Sequence, residues 1–253
     1  QEWQRQRGTQ PLRQIAIIDD EPNNQYLCPE FQLFQQLFQS FGMQAVVIDA
    51  SELIWRDGKL WADERPIDLV YNRLTDFYLE DDAHHALKMA YDANAVVLTP
   101  HPQAHALYAN KHNLVRLSNA QSLTQLGINE ALQQTLLNTI PKTETVNPAK
   151  ADDLWARRKQ LFFKPANGYG SKATYRGDKM TRRVWEEILQ GDYVAQQLVP
   201  PSARRLQADG IEAELKVDIR AYAYAGEIQL LAARLYTGQT TNFRTSGGGF
   251  APV

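Results

Sequence analysis

The segment Leu161-Phe-Phe-Lys-Pro-Ala-Asn-Gly-Tyr-Gly-Ser-Lys-Ala-Thr-Tyr-Arg176 is the most informative part of the chain. An apolar strand, predicted over residues 161–164, leads directly into a loop with two glycines, a serine and a second lysine. Glycine lets the backbone turn its N–H groups toward anionic oxygens, and Lys164 and Lys172 add positive charge nearby. The segment therefore predicts a lid over a polyphosphate, although it lacks the G-x-x-x-x-G-K-[ST] pattern of a Walker loop.

The composition is that of a folded protein with little net charge. The 253 residues include 27 Lys and Arg against 29 Asp and Glu, so no overall basic field indicates a nucleic-acid or anionic-membrane partner. No apolar run approaches the ~20 residues of a membrane span. The single cysteine, Cys28, excludes an intramolecular disulfide and a Cys-rich zinc site, and it fits a cytoplasmic location.

Residues 14–100 alternate strands with helices, which predicts a Rossmann-like parallel sheet after a polar segment at 1–13. Because the chain begins with Gln1 and not with methionine, we expect further sequence upstream. Arg73 directly follows a buried strand, where binding residues accumulate, but an ion pair with Asp76 would also explain it. The predicted elements are strands 14–19, 45–49, 67–71 and 95–98, helices 29–42 and 82–94, and a hairpin at 55–61.

Residues 101–253 predict a second region of mixed helices and strands. A helix at 104–117 carries Lys111, two short helices follow up to residue 140, and 141–148 has the composition of a linker. The remaining predicted elements are a helix from 151, strands 161–164, 173–175 and 193–198, a helix at 181–189, and two long strands at 214–224 and 228–236.

The first long strand alternates strictly, so Lys216, Asp218, Arg220 and Tyr222 share one face. A face that carries Lys, Asp and Arg together seldom packs into a hydrophobic core. Arg234 on the partner strand is expected to approach this cluster, and the charges are expected to line one cavity. The alternative is a solvated face with surface ion pairs.

Near the end of the chain, Asn242, Arg244 and Ser246 precede three glycines, a pattern that could bind a carboxylate or phosphate. The alternative is a disordered C-terminal tail. The five histidines lack metal-ligand spacing, so no zinc site is expected.

Several segments in order resemble the ATP-grasp superfamily, and glutathione synthetase in particular. They are 100–111 with its lysine, 163–171 with its Lys-Pro and glycines, 193–199 as the strand that faces adenine, Asp218-Ile-Arg220, Arg234, and 242–249. A standard domain of this superfamily continues to a Glu-x-Asn metal motif, which is absent here. The chain therefore resembles circularly permuted members, such as eukaryotic glutathione synthetase and glutathionylspermidine synthetase, with that strand expected upstream of Gln1.

Two further details belong to this resemblance. Tyr71-Asn-Arg73 resembles a substrate-binding Tyr-x-Arg of the permuted proteins, whereas Gly168 stands where the eukaryotic enzyme has a metal-binding glutamate. The implied fold is α/β: a Rossmann-like substrate-side domain at 14–100, followed by an ATP-grasp α+β nucleotide-binding region at 101–253.

The resemblance implies an ADP-forming ligase that joins a carboxylate to an amine through an acyl phosphate, with ATP and Mg²⁺, an amino-acid or peptide substrate, and a homodimeric assembly. The nucleotide would be held by Lys111, Lys164, Asn167, Gly168, Gly170, Ser171, Lys172, Gln196, Gln197 and Val199. The catalytic residues would be Arg220, Arg234 and Arg244; the metal ligands would be Asp218 or Asn242; the substrate would be bound by Arg73, Asn242, Ser246, Gly247 and Gly248.

Two alternatives remain at this stage. The first is a nucleotide-binding module without ligase chemistry, favoured by Gly168 and the missing metal strand. The second is a periplasmic-type binding protein, which would suit residues 14–99 but would leave the lysine and glycine segments unexplained.

Overall fold

The computed structural model describes residues 1–170, 172–208, 211–238 and 248–253. The chain divides into two compact units, Gln1–Asn110 and Lys111–Val253. Within the described ranges, no helix is both long and apolar enough to cross a membrane.

The N-terminal unit contains the expected parallel sheet. In chain order its strands are β1 Gln14–Asp19, β2 Gln44–Asp49, β3 Ile54–Arg56, β4 Lys59–Ala62, β5 Arg65–Pro66, β6 Leu69–Asn72 and β7 Val97–Thr99. Its helices are α1 Glu2–Arg7, α2 Cys28–Ser40, α3 His85–Asp92 and α4 Pro102–Tyr108. The parallel sheet has the order β2-β1-β6-β7. All six residues of β1 are buried, which explains the apolar run Ile15–Ile18 at its centre.

A small antiparallel sheet, β3-β4-β5, lies in the connection between β2 and β6, as the predicted hairpin requires. The turn between β3 and β4 has Asp57 at φ 51° and Gly58 at φ 69°. Two successive residues with positive φ are typical of the tight turn that an Asp-Gly pair forms between twisted strands. The hairpin prediction is therefore confirmed.

The C-terminal unit is built on two antiparallel sheets. Its helices are α5 His112–Leu117, α6 Ala120–Gln125, α7 Glu130–Thr139, α8 Ala151–Ala156 and α9 Arg182–Gln190. Its strands are β8 Thr143–Thr145, β9 Leu161–Pro165, β10 Tyr175–Arg176, β11 Tyr193–Gln197, β12 Ser202–Ala208, β13 Ile211–Tyr224, β14 Glu227–Tyr236 and β15 Gly249–Pro252. The sheet orders are β10-β9-β11-β8 and β12-β13-β14-β15.

Three details of the chain after residue 100 differ from the sequence-based expectation. The segment at 141–148 is not only a linker, because β8 forms within it and pairs with β11. The strands β12 and β15 were not predicted. The helix expected at 104–117 is two helices, α4 and α5, and Lys111 lies between them. The backbone N–H of Lys111 donates to Ala166 O at 2.9 Å, so this group leaves the helical ladder.

A hydrophobic core packs against one face of the sheet β10-β9-β11-β8. Phe163 and Leu154 are fully buried in this core, and the ring of Phe163 contacts the ring of Trp185 edge-on, with 5.4 Å between the centroids. Because side chains alternate along a strand, burial of Leu161 and Phe163 turns Phe162 and Lys164 to the opposite face.

Candidate functional site

The C-terminal unit contains a cavity of about 910 Å³, within the range usual for small-molecule sites. Residues of β9 and β11 line it from one sheet, and residues of β13 and β14 line it from the other. Both sheets belong to the unit Lys111–Val253, so the cavity lies inside one compact body.

Lys111 and Lys164 both line this cavity. Burial lowers the pKa of each ammonium group, and the positive charge of Lys111 lowers the pKa of Lys164 further. The two charges are therefore close enough to repel each other. Two ammonium groups held together in a partly dry cavity favour an anionic ligand that relieves the repulsion.

The glycine loop that follows β9 forms part of the same wall. Lys111 Nζ donates to Gly168 O at 2.9 Å, which ties the lysine to the loop. A Cβ at Gly168 would lie 2.9 Å from Pro165 Cγ, and Gly170 has φ +60°. Both positions therefore disfavour a larger residue, the first because of close approach and the second because of backbone conformation.

Two predicted loop residues are not among those that line the cavity. Lys172 is exposed, and its Nζ donates to the hydroxyl of Tyr169 at 3.0 Å. Asn167 is exposed as well. Gly168 and Gly170 do line the cavity, and Ser171 lies outside the described residues.

The strand β11 and the residues after it provide the next wall, with Gln196, Gln197, Leu198 and Val199 lining the cavity. Gln196 uses its side chain within the protein, because its Oε1 accepts from Lys164 Nζ at 2.7 Å. The N–H of Gln197 donates to Lys142 O and that of Leu198 to Gln160 O, both at 2.8 Å. These two N–H groups are thus engaged within the protein. The adenine base that the sequence places beside this strand would have to contact other groups of the segment.

Part of the charged face predicted for β13 lines the cavity. Asp218 and Arg234 are directly paired across β13 and β14, and Arg234 Nε donates to the Asp218 carboxylate at 2.5 Å. Lys216, Asp218 and Arg234 line the cavity. Arg220 does not line it: this residue is exposed and its guanidinium lies over the ring of Tyr222 at 4.8 Å.

The sequence reasoning missed two basic residues of the cavity, Arg176 and Arg204. Arg176 is directly paired with Phe162 across β9 and β10, one residue beyond the predicted end of its strand. Arg204 lies on β12, which was not predicted. The described lining carries six basic side chains and one carboxylate. The carboxylate is that of Asp218, and the basic side chains are Lys111, Lys164, Arg176, Arg204, Lys216 and Arg234.

The cavity also has an apolar wall that could cover a planar ring. Its members are Pro141, Phe162, Leu198, Val199, Pro200, Pro201, Val217, Ile219 and Tyr236. A cavity with basic side chains and an apolar wall suits a ligand that is itself part anionic and part apolar.

Arg73 belongs to the N-terminal unit and has a different partner from the expected one. Its Nη2 lies 3.0 Å from Glu30 Oε1, and its Nη1 donates to the Tyr71 hydroxyl at 3.2 Å. Asp76 instead accepts from the buried His84, whose other ring nitrogen lies 2.8 Å from Asp20. The ion pair considered between Arg73 and Asp76 is therefore replaced by one with Glu30.

The remaining predicted site residues are Asn242, Arg244, Ser246 and Gly247, which lie outside the described residues, and Gly248, which is described but is not among the cavity-lining residues. In the described ranges, no group of three or more His, Cys, Asp or Glu side chains could hold a metal ion. Asp218 is already paired with Arg234. The described residues therefore do not form a metal site by themselves.

The chain is thus a two-unit α/β protein whose C-terminal unit contains a basic cavity that glycines help to line. No protein-family model and no curated protein matches the sequence.

Among solved structures, the ATP-grasp ligase PsnB in complex with a minimal precursor is 12% identical, covering 91% of this chain and 78% of that one, with a TM-score of 0.45. PsnB with the precursor peptide PsnA2 and AMPPNP is 13% identical, with coverages of 96% and 88% and a TM-score of 0.45. D-cycloserine synthetase DcsG is 18% identical, with coverages of 81% and 67% and a TM-score of 0.46. Because these TM-scores lie below 0.5, a functional proposal has to depend on the site itself.

Proposed function

We propose that the protein is an ATP-dependent carboxylate–amine ligase of the ATP-grasp type, possessing a nucleotide site in the cavity of its C-terminal unit. The observation that carries the proposal is the position of Lys111 and Lys164 on one cavity beside the Gly168 backbone. Two neighbouring ammonium groups and a close-packed glycine loop are what the binding of a polyphosphate requires.

The charge distribution supports the same proposal. The whole chain has a net charge of -2, whereas the described cavity lining is strongly basic. A local excess of basic groups in a slightly acidic protein favours a small polyanion over an extended nucleic acid. The apolar wall with Phe162, Val199 and Tyr236 would receive the base of the nucleotide.

In the proposed reaction, a substrate carboxylate oxygen attacks the γ-phosphorus of ATP, and the bond from that phosphorus to the β-phosphate oxygen breaks, releasing ADP. An amine then attacks the carbonyl carbon of the acyl phosphate, and phosphate leaves as the amide forms and the amine loses a proton. Lys111 and Lys164 would stabilise the charge on the phosphoryl oxygens, and the Gly168–Gly170 loop would exclude water.

Arg234, Arg73 and residues 242–248 are proposed to orient the phosphoryl group and the substrate carboxylates. Mg²⁺ is proposed to arrive with the nucleotide, since this ion usually takes several ligands from phosphates and water. PsnB has been solved in complex with Mg and ADP, which is a property of that protein. A homodimer and a cytoplasmic location remain parts of the proposal.

A second candidate is a nucleotide-binding module that does not catalyse ligation. It is favoured by the pairing of Asp218 with Arg234, because a carboxylate held by a guanidinium is a weaker candidate for metal binding. Both candidates require nucleotide binding in the same cavity, so turnover distinguishes them.

The experiment has a binding part and a turnover part. Isothermal titration calorimetry with ATP is expected to show binding that Lys164→Ala and Lys111→Ala abolish, whereas Lys179→Ala, at an exposed lysine of the same unit, retains it. Unchanged affinity in Lys164→Ala would refute the nucleotide site.

Turnover is measured as ADP release in the presence of amino-acid and peptide mixtures, with hydroxylamine added to trap an acyl phosphate as its hydroxamate. Substrate-dependent ADP release with hydroxamate formation supports the ligase. Tight ATP binding without either product supports the binding module.

A further inference from the structure

A buried chain of hydrogen bonds reaches from the edge strand β8 to the cavity lysine. Thr143 and Gln196 are directly paired across β8 and β11, and both side chains are buried. Gln196 Nε2 donates to Thr143 Oγ1 at 2.9 Å, and Gln196 Oε1 accepts from Lys164 Nζ at 2.7 Å. The amide of Gln196 thus connects Thr143 to Lys164.

The directions of these hydrogen bonds follow from the chemistry of the groups. A hydroxyl has one proton, and Thr143 Oγ1 donates it to Pro141 O at 2.8 Å. The same oxygen can then only accept from Gln196, so the amide must present its NH₂ group to Thr143. The amide oxygen is left for Lys164, whose ammonium group can only donate. The hydrogen bonds to Thr143 and to Lys164 therefore require the same orientation of the Gln196 amide.

Thr143 is itself held firmly in place. Its backbone N–H donates to Ser118 Oγ at 3.0 Å, and its residue exposure is 5%. A valine at this position would keep the shape of the side chain and remove the acceptor for Gln196. The amide could then rotate, and its NH₂ group would face the ammonium group of Lys164.

We propose that Thr143 is a positioning residue: its hydroxyl orients the amide of Gln196 so that the amide oxygen holds the ammonium group of Lys164 in the cavity. This inference rests on the proposed function for its link to nucleotide binding, but the arrangement of the three side chains can be tested without a nucleotide. Thr143 itself contacts no ligand in this proposal.

The physical consequence concerns the charge on Lys164. Burial and the neighbouring Lys111 both lower the pKa of Lys164, and an amide oxygen at 2.7 Å stabilises the charged form against them. The other charged groups that line the same cavity are Arg176, Arg204, Lys216, Asp218 and Arg234. Loss of the oriented amide is therefore expected to lower the pKa of Lys164 further.

The test is the pH profile of Lys164 acetylation, measured by mass spectrometry on the full chain without nucleotide. Because only the neutral amine reacts, Thr143→Val is expected to move the midpoint of the profile to lower pH by about one unit, the size of one hydrogen bond to a charged group. Thr143→Ser retains the hydroxyl and is expected to keep the wild-type midpoint. Thr145→Val removes a hydroxyl from the same strand and serves as the matched control, with no expected shift.

Several outcomes would overturn the proposal. They are an unchanged midpoint in Thr143→Val, an equal shift in Thr145→Val, or a shift in Thr143→Ser as large as in Thr143→Val. If Thr143→Val does not fold, Thr143→Ala decides the question, because it also removes the acceptor for Gln196 Nε2 and is expected to move the midpoint to lower pH as well. No shift in that variant would also overturn the proposal.

ATP affinity is measured separately in the same variants. Thr143→Val is expected to bind ATP about tenfold more weakly than wild type, with Thr143→Ser restoring the affinity. Failure of wild type to bind ATP would refute the proposed function and leave the acetylation profile as the test of Thr143. A normal affinity in Thr143→Val together with a shifted profile would overturn the link to nucleotide binding.

Discussion

Asp218 and Arg234 face each other across β13 and β14, and Arg234 Nε donates to the Asp218 carboxylate. Both side chains are roughly one-third exposed and both line the cavity, so the pair is accessible to a ligand. The guanidinium partly neutralises the one carboxylate of the described lining. The balance of charge in the cavity therefore depends on this pair.

Arg234→Ala is expected to weaken ATP binding about tenfold, equivalent to ~1.4 kcal/mol, because the cavity loses one positive charge and Asp218 loses its partner. Calorimetry at fixed ionic strength measures the effect. Arg183→Ala, at an exposed arginine on α9, is the control and should leave the affinity unchanged.

Asp218→Asn distinguishes the two roles that are open to this carboxylate. Without Mg²⁺, loss of a negative charge is expected to strengthen ATP binding a few-fold. With Mg²⁺, strongly reduced turnover would assign a metal-binding role to Asp218, and unchanged turnover would limit the carboxylate to its pairing with Arg234.

Much of the fold was predictable from local patterns. The buried run of β1, the Asp57-Gly58 turn and the alternation of β13 each specify their structure within a few residues. The approach of Arg234 to the charged face of β13 was expected from its place on the partner strand, but its direct pairing with Asp218 depends on a register shift between Tyr222 and Ala223 that the sequence did not reveal.

What the sequence did not reveal depends on contacts between distant residues. The strand β8 is three residues long between two prolines, and it is a strand because it pairs with β11 some fifty positions later. The break between α4 and α5 depends on a hydrogen bond from Lys111 to Ala166. The position of His84 in the sequence did not indicate its contacts with carboxylates, because one of these partners, Asp20, lies 64 positions away.

The glycine loop yields a prediction in which ATP affinity can be separated from stability. Gly168→Ala places a Cβ against Pro165, and Gly170→Ala requires a left-handed backbone at a cost of roughly 1–2 kcal/mol. Each variant is expected to bind ATP about fivefold to tenfold more weakly, and the backbone strain is also expected to lower the unfolding midpoint of Gly170→Ala in urea. Gly127→Ala is the control, because this glycine has a positive φ but does not line the cavity. It should lower the unfolding midpoint through the same backbone strain and leave the ATP affinity unchanged.

His84 is expected to make the stability of the N-terminal unit depend on pH. Burial alone would lower its pKa, but hydrogen bonds to Asp76 and Asp20 outweigh that effect and raise the pKa. Although burial opposes it, the pKa of Asp76 is lowered to about 2 by hydrogen bonds, including one from His84. Burial would raise the pKa of Asp49, but hydrogen bonds from Ser51 and Glu21 lower it, and the positive charge of His84 adds a smaller effect in the same direction.

The pH dependence of stability follows from the directions of these pKa shifts. A raised histidine pKa contributes stability below the unfolded pKa of about 6.5, and this contribution is lost as pH rises through the folded value. A lowered aspartate pKa contributes above about 3.8 and is lost as pH falls toward 2. The stabilisation by this cluster is thus greatest between about pH 4 and 6.5.

His84→Gln removes the double donor and is expected to cost about 2–3 kcal/mol in that window, measured by urea unfolding from pH 3 to 9. The difference between wild type and variant should shrink at both ends of the range. His85→Gln, at the exposed neighbouring histidine, is the control. A difference that stays constant with pH would contradict the charged pairing.

Arg73 provides the prediction that concerns the N-terminal unit and the substrate. Its Nε is buried with no hydrogen-bond partner among the described residues, and its ion pair with Glu30 is partly exposed. A substrate carboxylate could therefore compete with Glu30 for the guanidinium. Because a partly exposed pair contributes at most about 1 kcal/mol, Arg73→Met should fold normally.

Arg73→Met is expected to leave ATP affinity unchanged and to raise the KM for the carboxylate-bearing substrate by tenfold or more, since a charge-assisted contact is lost. Glu30→Gln is the matched variant: it releases Arg73 and is expected to lower that KM or leave it unchanged. Steady-state kinetics of ADP release measures both. If Arg73→Met instead weakens ATP binding with an unchanged KM for the second substrate, Arg73 does not bind the substrate carboxylate, and its pairing with Glu30 and Tyr71 is structural.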